Sequence, residues 1–175
     1  MVKAKSSSAQ KPRLIETPLF EDERGHFSRL LDSDWLPRDT QFVQISESYT
    51  GSEGTFRGFH YLTLDQNEWK AVTCISGKII DILIDVRPKS PEYGSVKKYH
   101  LNSTKRACLL IPPGFAHGYL TLSSDVRIIY GMTCTYDSEH ERGVRWNDPR
   151  INLELPIAVR TVSSKDLNWP LLKDN

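Results

Sequence analysis

The stretch Lys70-Ala71-Val72-Thr73-Cys74-Ile75-Ser76-Gly77-Lys78-Ile79-Ile80-Asp81-Ile82-Leu83-Ile84-Asp85-Val86 decides the fold class. Its two runs, 70–76 and 78–86, are rich in β-branched residues and too short for helices, so each reads as a strand. Ser76-Gly77 between them reads as a tight hairpin turn. In the second run Ile80, Ile82, Ile84 and Val86 share one face, while Asp81, Leu83 and Asp85 share the other. Acids opposite a fully apolar face stand either in bulk water or in the wet interior of a small barrel. Outward along the chain, the segments 42–49, 55–63, 96–101, 107–111, 118–123 and 126–136 carry the same signature. Most are bounded by Gly, Pro, Asp, Asn or Ser. Helical signals are confined to a turn at 33–36 and another at 163–166, where Ser163 is placed to cap. The expectation is an all-β sandwich or barrel with short peripheral helices.

The 175 residues suit one domain over 13–175, preceded by a disordered polar tail over 1–12. No stretch has the apolar core of a signal peptide or the length of a membrane span, so a soluble protein without membrane partners is expected. With 23 basic and 22 acidic residues the formal charge is +1, which provides no basic stripe for nucleic acid. Cys74, Cys108 and Cys134 form an odd set without a C-x-x-C pair. They read as small core residues in a reducing cytoplasm.

Two stretches carry the chemistry: Arg57-Gly58-Phe59-His60-Tyr61 and Pro112-Pro113-Gly114-Phe115-Ala116-His117-Gly118. Residues 57 and 60 point to opposite sides of an ideal strand, and a bulge at Gly58 would bring both to one side. His60 then reads as a neutral base beside a guanidinium, against the alternative of a satisfied core histidine. Lys70 is either a solvated strand-start lysine or an ammonium aimed inward at a developing oxyanion. Tyr130 is either a core tyrosine with a tethered hydroxyl or a proton donor. Asp22-Glu23-Arg24-Gly25 reads as a turn entering a strand. Pro112-x-Gly114-x-x-His117 has the form of the second motif of cupin barrels. The place of the first motif holds His60-Tyr61-Leu62 rather than His-x-His, so no metal is expected.

The ordered set Phe20-x-Asp22-Glu23-Arg24-Gly25, Gly54-x-x-Arg57-Gly58-x-His60-Tyr61, Lys70, Asp81-x-x-x-Asp85-x-Arg87-x-x-Ser90-Pro91, Ile111-Pro112-x-Gly114-Phe115-Ala116-His117-Gly118, Trp146-Asn147-Asp148-Pro149 and Ser163-x-Lys165-Asp166 resembles the dTDP-4-dehydrorhamnose 3,5-epimerase family. The resemblance implies a cupin-type jelly-roll barrel, a homodimer, no metal or cofactor, and a nucleotide-diphosphate 4-keto-6-deoxy sugar as substrate. It implies His60 as catalytic base oriented by Asp166, Lys70 as enolate stabiliser and Tyr130 as acid on the opposite face. It further implies His117 as a substrate-contacting histidine, Arg24 and Arg57 as pyrophosphate contacts, and Phe20 and Gln44 as nucleotide-facing wall. Leu62, Ser46, Arg29, Trp69 and Thr135 stand where the family more often has other residues. Epimerisation at C3, C5 or both is expected, with a C3-only epimerase or 3,4-ketoisomerase as the near alternative. A metal-dependent cupin oxygenase and a non-catalytic binder are the more distant ones.

Overall fold

Period-two alternation organises the chain into two facing sheets. The structure, a computed structural model, describes residues 10–173. Its strands are β1 (Arg13–Glu16), β2 (Phe20–Asp22), β3 (Gly25–Phe27), β4 (Gln44–Thr50), β5 (Thr55–Leu62), β6 (Lys70–Ser76) and β7 (Lys78–Asp85). They continue as β8 (Val96–Asn102), β9 (Ala107–Ile111), β10 (Phe115–Thr121), β11 (Val126–Met132), β12 (Glu141–Gly143) and β13 (Thr161–Val162), before the one-turn helix α1 (Ser164–Leu167). One sheet has the order β1-β9-β6-β11-β4; the other has β12-β5-β10-β7-β8, with β13 added in parallel to β5. Strands β2 and β3 form a separate hairpin that turns at Glu23-Arg24. This is the all-β sandwich that the strand pattern predicted, in the cupin-like jelly-roll form that the family resemblance implied.

The space between the sheets is filled by Val72, Leu83, Leu109, Phe115 and Ile128 among others. The outer face of β7 is buried as well: Ile80, Ile82 and Ile84 pack with Phe56, Phe59 and Leu172 beneath the C-terminal segment. Fully burying one such Ile or Leu contributes about 1.5–3 kcal/mol, which offsets keeping carboxylates out of water on the opposite face. Both acids of that face are completely buried. Asp85 accepts hydrogen bonds from the Arg87 backbone N–H at 3.0 Å, Arg87 Nε at 2.9 Å and the Ser90 hydroxyl at 2.7 Å. Burial works to raise its pKa, but these bonds and the guanidinium charge outweigh it and hold the carboxyl below its ordinary value.

Ser76-Gly77 is not a hairpin. Strand β6 pairs with β9 and β11, whereas β7 pairs with β8 and β10, so the dipeptide carries the chain from one sheet to the other. Gly77 has φ +77°, and a Cβ there would sit 2.7 Å from Ser123 Oγ, so only glycine makes the corner. A tight turn between two strand-like runs looks the same in sequence whichever sheet receives the second run. Strand β10 starts at Phe115 rather than 118, because its ladder to β7 extends through Ala116 and His117. Strand β11 ends at Met132 rather than 136, and Cys134 beyond it is only partly buried, its thiol donating to the Gln66 carbonyl at 3.0 Å. Of the tail read over 1–12, residues 1–9 lie outside the described residues. The Gln10 carbonyl accepts from Arg87 Nη1, and Lys11 pairs with Glu92. No described helix is long and apolar enough to cross a membrane.

Candidate active site

The register of β5 against β10 builds the site. His60 lies opposite His117 and Arg57 opposite Tyr119, so Gly58 and Phe59 together face the single residue Gly118. This bulge brings Arg57 and His60 to the same side, as a Gly at 58 permits. Gly58 has φ +131°, and a Cβ there would lie 2.5 Å from Gly118 Cα. The two chains touch backbone to backbone at this point. Between the sheets opens a cavity of about 590 Å³ lined by Arg57, His60, Lys70, His117, Tyr130 and Asp166, with Gln44 on its wall.

Two histidines on this cavity are each paired with a carboxylate, and the surroundings of the two pairs differ. His60 Nε2 lies 2.6 Å from Asp166 Oδ1, and Asp166 Oδ2 accepts the Gly58 N–H at 3.2 Å. Helix α1 delivers this carboxylate: the Ser163 hydroxyl caps the turn by accepting the Asp166 backbone N–H at 3.1 Å. Burial acts to raise the Asp166 pKa, yet the bonds from His60, Gly58 and Ser163 overcome it and bring the carboxyl below its ordinary value. It is therefore a firm anion beside the imidazole. The other pair, His117 Nε2 and Asp81 Oδ2, is 2.9 Å apart and almost wholly buried. There burial outweighs the help of His117 and raises the Asp81 pKa, and Asp81 Oδ1 has no hydrogen-bond partner among the described residues. The two carboxyls are thus pushed in opposite directions by their environments. Asp166 is held as an anion against its imidazole, whereas burial opposes charge on Asp81.

Tyr130 approaches from the opposite sheet, on β11, with its ring edge-on to His117 at 6.1 Å between centroids. Burial first, then the neighbouring Tyr119 and Asp81, push its phenol well above the ordinary value, so it stays a protonated donor. Tyr119, not singled out from the sequence, is a hub: its hydroxyl meets Ser48 at 3.0 Å and Thr50 at 3.2 Å. Arg57 binds Thr50 Oγ1 through Nε and the Tyr49 carbonyl through Nη2, which fixes its plane at the cavity rim. Gln44 accepts the Tyr136 backbone N–H at 3.0 Å and so ties β4 to the loop after β11.

The family model described as dTDP-4-dehydrorhamnose 3,5-epimerase matches residues 8–174. The chain belongs to the dTDP-4-dehydrorhamnose 3,5-epimerase family. A relative of that name from Sinorhizobium fredii is 37% identical over 171 residues, covering 95% of this chain and 88% of the relative. The crystal structure of the Bacillus anthracis enzyme with TDP and PPi bound superposes with a TM-score of 0.87 at 31% identity, covering 98% of this chain and 99% of that one. The Legionella pneumophila epimerase in complex with dTDP-4-keto-L-rhamnose gives a TM-score of 0.85 at 30% identity, covering 92% and 87%.

Two residues that the family resemblance placed at the substrate stand apart from the cavity of their own chain. Phe20 and Arg24 lie on the β2–β3 hairpin, with Phe20 62% exposed and the Arg24 side chain 82% exposed and paired with Asp22. Phe20 lines a different surface hollow with Phe27 and Trp35. Others were given no role by the sequence reading. Lys165 Nζ binds both oxygens of Glu141 at 2.8 and 2.6 Å, and Tyr136 donates to the same carboxylate at 2.8 Å, closing one rim of the cavity. The adjacency of Lys165 to Asp166 was the available signal. Trp169 places its ring edge-on to His60 at 6.1 Å. It fits only because residue 143 is glycine, where a Cβ would sit 2.2 Å from the indole.

Proposed function

We propose that the protein inverts C3, C5 or both in a dTDP-linked 4-keto-6-deoxyhexose by removing and returning a proton through an enolate, without metal or cofactor. The observation that carries this reading is the 2.6 Å His60–Asp166 contact in a cavity whose other sheet supplies Lys70 and Tyr130. Because Nε2 is engaged by the carboxylate, Nδ1 is the nitrogen that takes the proton. The C–H bond breaks, its electron pair moves into the carbonyl, and the oxygen's growing charge is met by the Lys70 ammonium. Tyr130 then delivers its phenolic proton to the other face of the carbon. Solvent returns the enzyme to its starting protonation by taking the proton from His60 and restoring that of Tyr130. Base and donor hang from different sheets, which suits attack and return on two faces of a ring. Arg57 matches one pyrophosphate oxygen pair by its planar fork, Gln44 belongs to the nucleotide wall, and His117 contacts the sugar.

Proton return from solvent-exchanged Tyr130 makes the reading testable. Incubation with dTDP-4-keto-6-deoxyglucose in deuterated water should place deuterium at C3 and C5, read by NMR. Label at C3 alone selects the narrower epimerase, and a shifted carbonyl the ketoisomerase. Substrate that binds yet gains no deuterium would end the proposal.

We further place the enzyme in the cytoplasm as a homodimer. The hairpin residues Phe20 and Phe27, with Val43 just before β4 and Ile45 and Tyr49 on it, leave large apolar side chains exposed. Pairing would cover them and carry Arg24 toward the partner's cavity. Sedimentation should give a mass near twice the 20.0 kDa of one chain. A single-chain mass at micromolar concentration would remove the dimer.

A further inference from the structure

Lys70 does not stand alone. Its Nζ lies 3.2 Å from Glu68 Oε2, and the two side chains are only 15% and 9% exposed. Residues 68 and 70 share a face of the extended chain, and Trp69 between them points the other way. Trp69 is buried among Leu36, Ala71, Cys108 and Leu110. Its N–H donates to Thr133 Oγ1 at 2.8 Å, and its carbonyl accepts the Thr133 N–H at 3.1 Å. Both flanking side chains are thereby anchored to one spot on the β6–β11 ladder.

The direction of approach matters. Lys70 lines both the main cavity and a second, small hollow, whereas Glu68 lines only that hollow, beside Tyr61 and Pro112. The carboxylate therefore reaches the ammonium from the side of that hollow. The ion pair with Glu68 engages one side of the ammonium, and its three donors leave others for the cavity side. A four-carbon stem with that much burial needs both a counter-charge and a fixed geometry to meet a developing oxyanion.

We propose that Glu68 is a positioning residue of the epimerase, holding the Lys70 ammonium from behind so that it faces the enolate oxygen. This rests on the proposed role of Lys70. A displacement of about 1 Å in such a group can cost roughly 10²-fold in rate. Glu68→Ala should therefore slow deuterium incorporation from solvent into dTDP-4-keto-6-deoxyglucose by about tenfold to a hundredfold, with KM and dTDP affinity unchanged. Glu68→Gln keeps the side-chain shape and an oxygen at the same reach and should recover to within about threefold of wild type, the remaining loss being that of the ion pair's charge.

A structural role would instead move KM and thermal stability together with kcat. The inference falls if Glu68→Ala exchanges at the wild-type rate, if Glu68→Gln is as slow as Glu68→Ala, or if KM rises in step with the lost rate. Lys70→Ala separates the two levels. Full exchange in that variant overturns the role of Lys70 itself, while an inactive Lys70→Ala beside a fully active Glu68→Ala overturns only the positioning.

Discussion

Replacing His60 by alanine should lower proton exchange at the carbon beside the ketone by on the order of 10²–10⁴, the usual contribution of a positioned general base. On the proposed mechanism the substitution removes the nitrogen that receives the proton and leaves the binding surfaces standing. Arg57 is held by Thr50 and the Tyr49 carbonyl, and Gln44 by the Tyr136 backbone, none of which touches the imidazole. The β5 backbone keeps its ladder, since Gly143 pairs with residue 60 through main-chain atoms. Calorimetric binding of dTDP should consequently match wild type while NMR shows label accumulating on the order of 10²–10⁴-fold more slowly. Full exchange in this variant would transfer the role of base to another group, with His117 the next candidate.

Asp166→Asn should be nearly as severe, and more severe than Asp166→Ala. The Gly58 N–H now donates to one carboxylate oxygen while His60 Nε2 meets the other. An asparagine in the same place keeps its carbonyl on Gly58 and turns its amide N–H₂ toward Nε2. Nε2 must then accept, which moves the ring proton onto Nδ1 and blocks the nitrogen that removes the substrate proton. The same swap in a serine protease triad costs on the order of 10⁴. Alanine leaves the ring free to choose its tautomer, so part of the rate should survive. Equal rates for the two variants would mean that Asp166 acts through charge alone.

The carboxylate also carries a pH signature. Because its folded pKa is held below the ordinary 3.8, its stabilising contribution is complete above that value. It disappears only as pH falls through the lowered one. Acid unfolding monitored by circular dichroism should thus show a component below pH 3.8 that Asp166→Asn lacks.

Much of the scaffold was legible because strands write their alternation locally. The limits of β6 and β9 coincide with the runs read from sequence, and Ser163 caps α1 as its hydroxyl and spacing suggested. The short strands β1, β12 and β13 were not legible, since two to four residues carry too little periodicity to register. The crossing at Ser76-Gly77 was misread for a different cause: a glycine turn specifies its own dihedral angles and not the partner of the strand that follows. Arg57 and His60 were recognised as a pair because Gly58 advertised a bulge. Glu68 passed unnoticed, as an acid two residues from a lysine is ordinary on any surface.

The order of side chains along the chain by itself determined the all-β class, the reactive groups available and the family. Only the tertiary structure decided that residues 60 and 166 touch, which of two histidines is backed by a firm anion, and what stands behind Lys70. The reason is physical. Strand formation follows from neighbours one and two positions away, whereas desolvation and hydrogen bonding depend on atoms a few ångströms distant in space, however far apart they lie along the backbone.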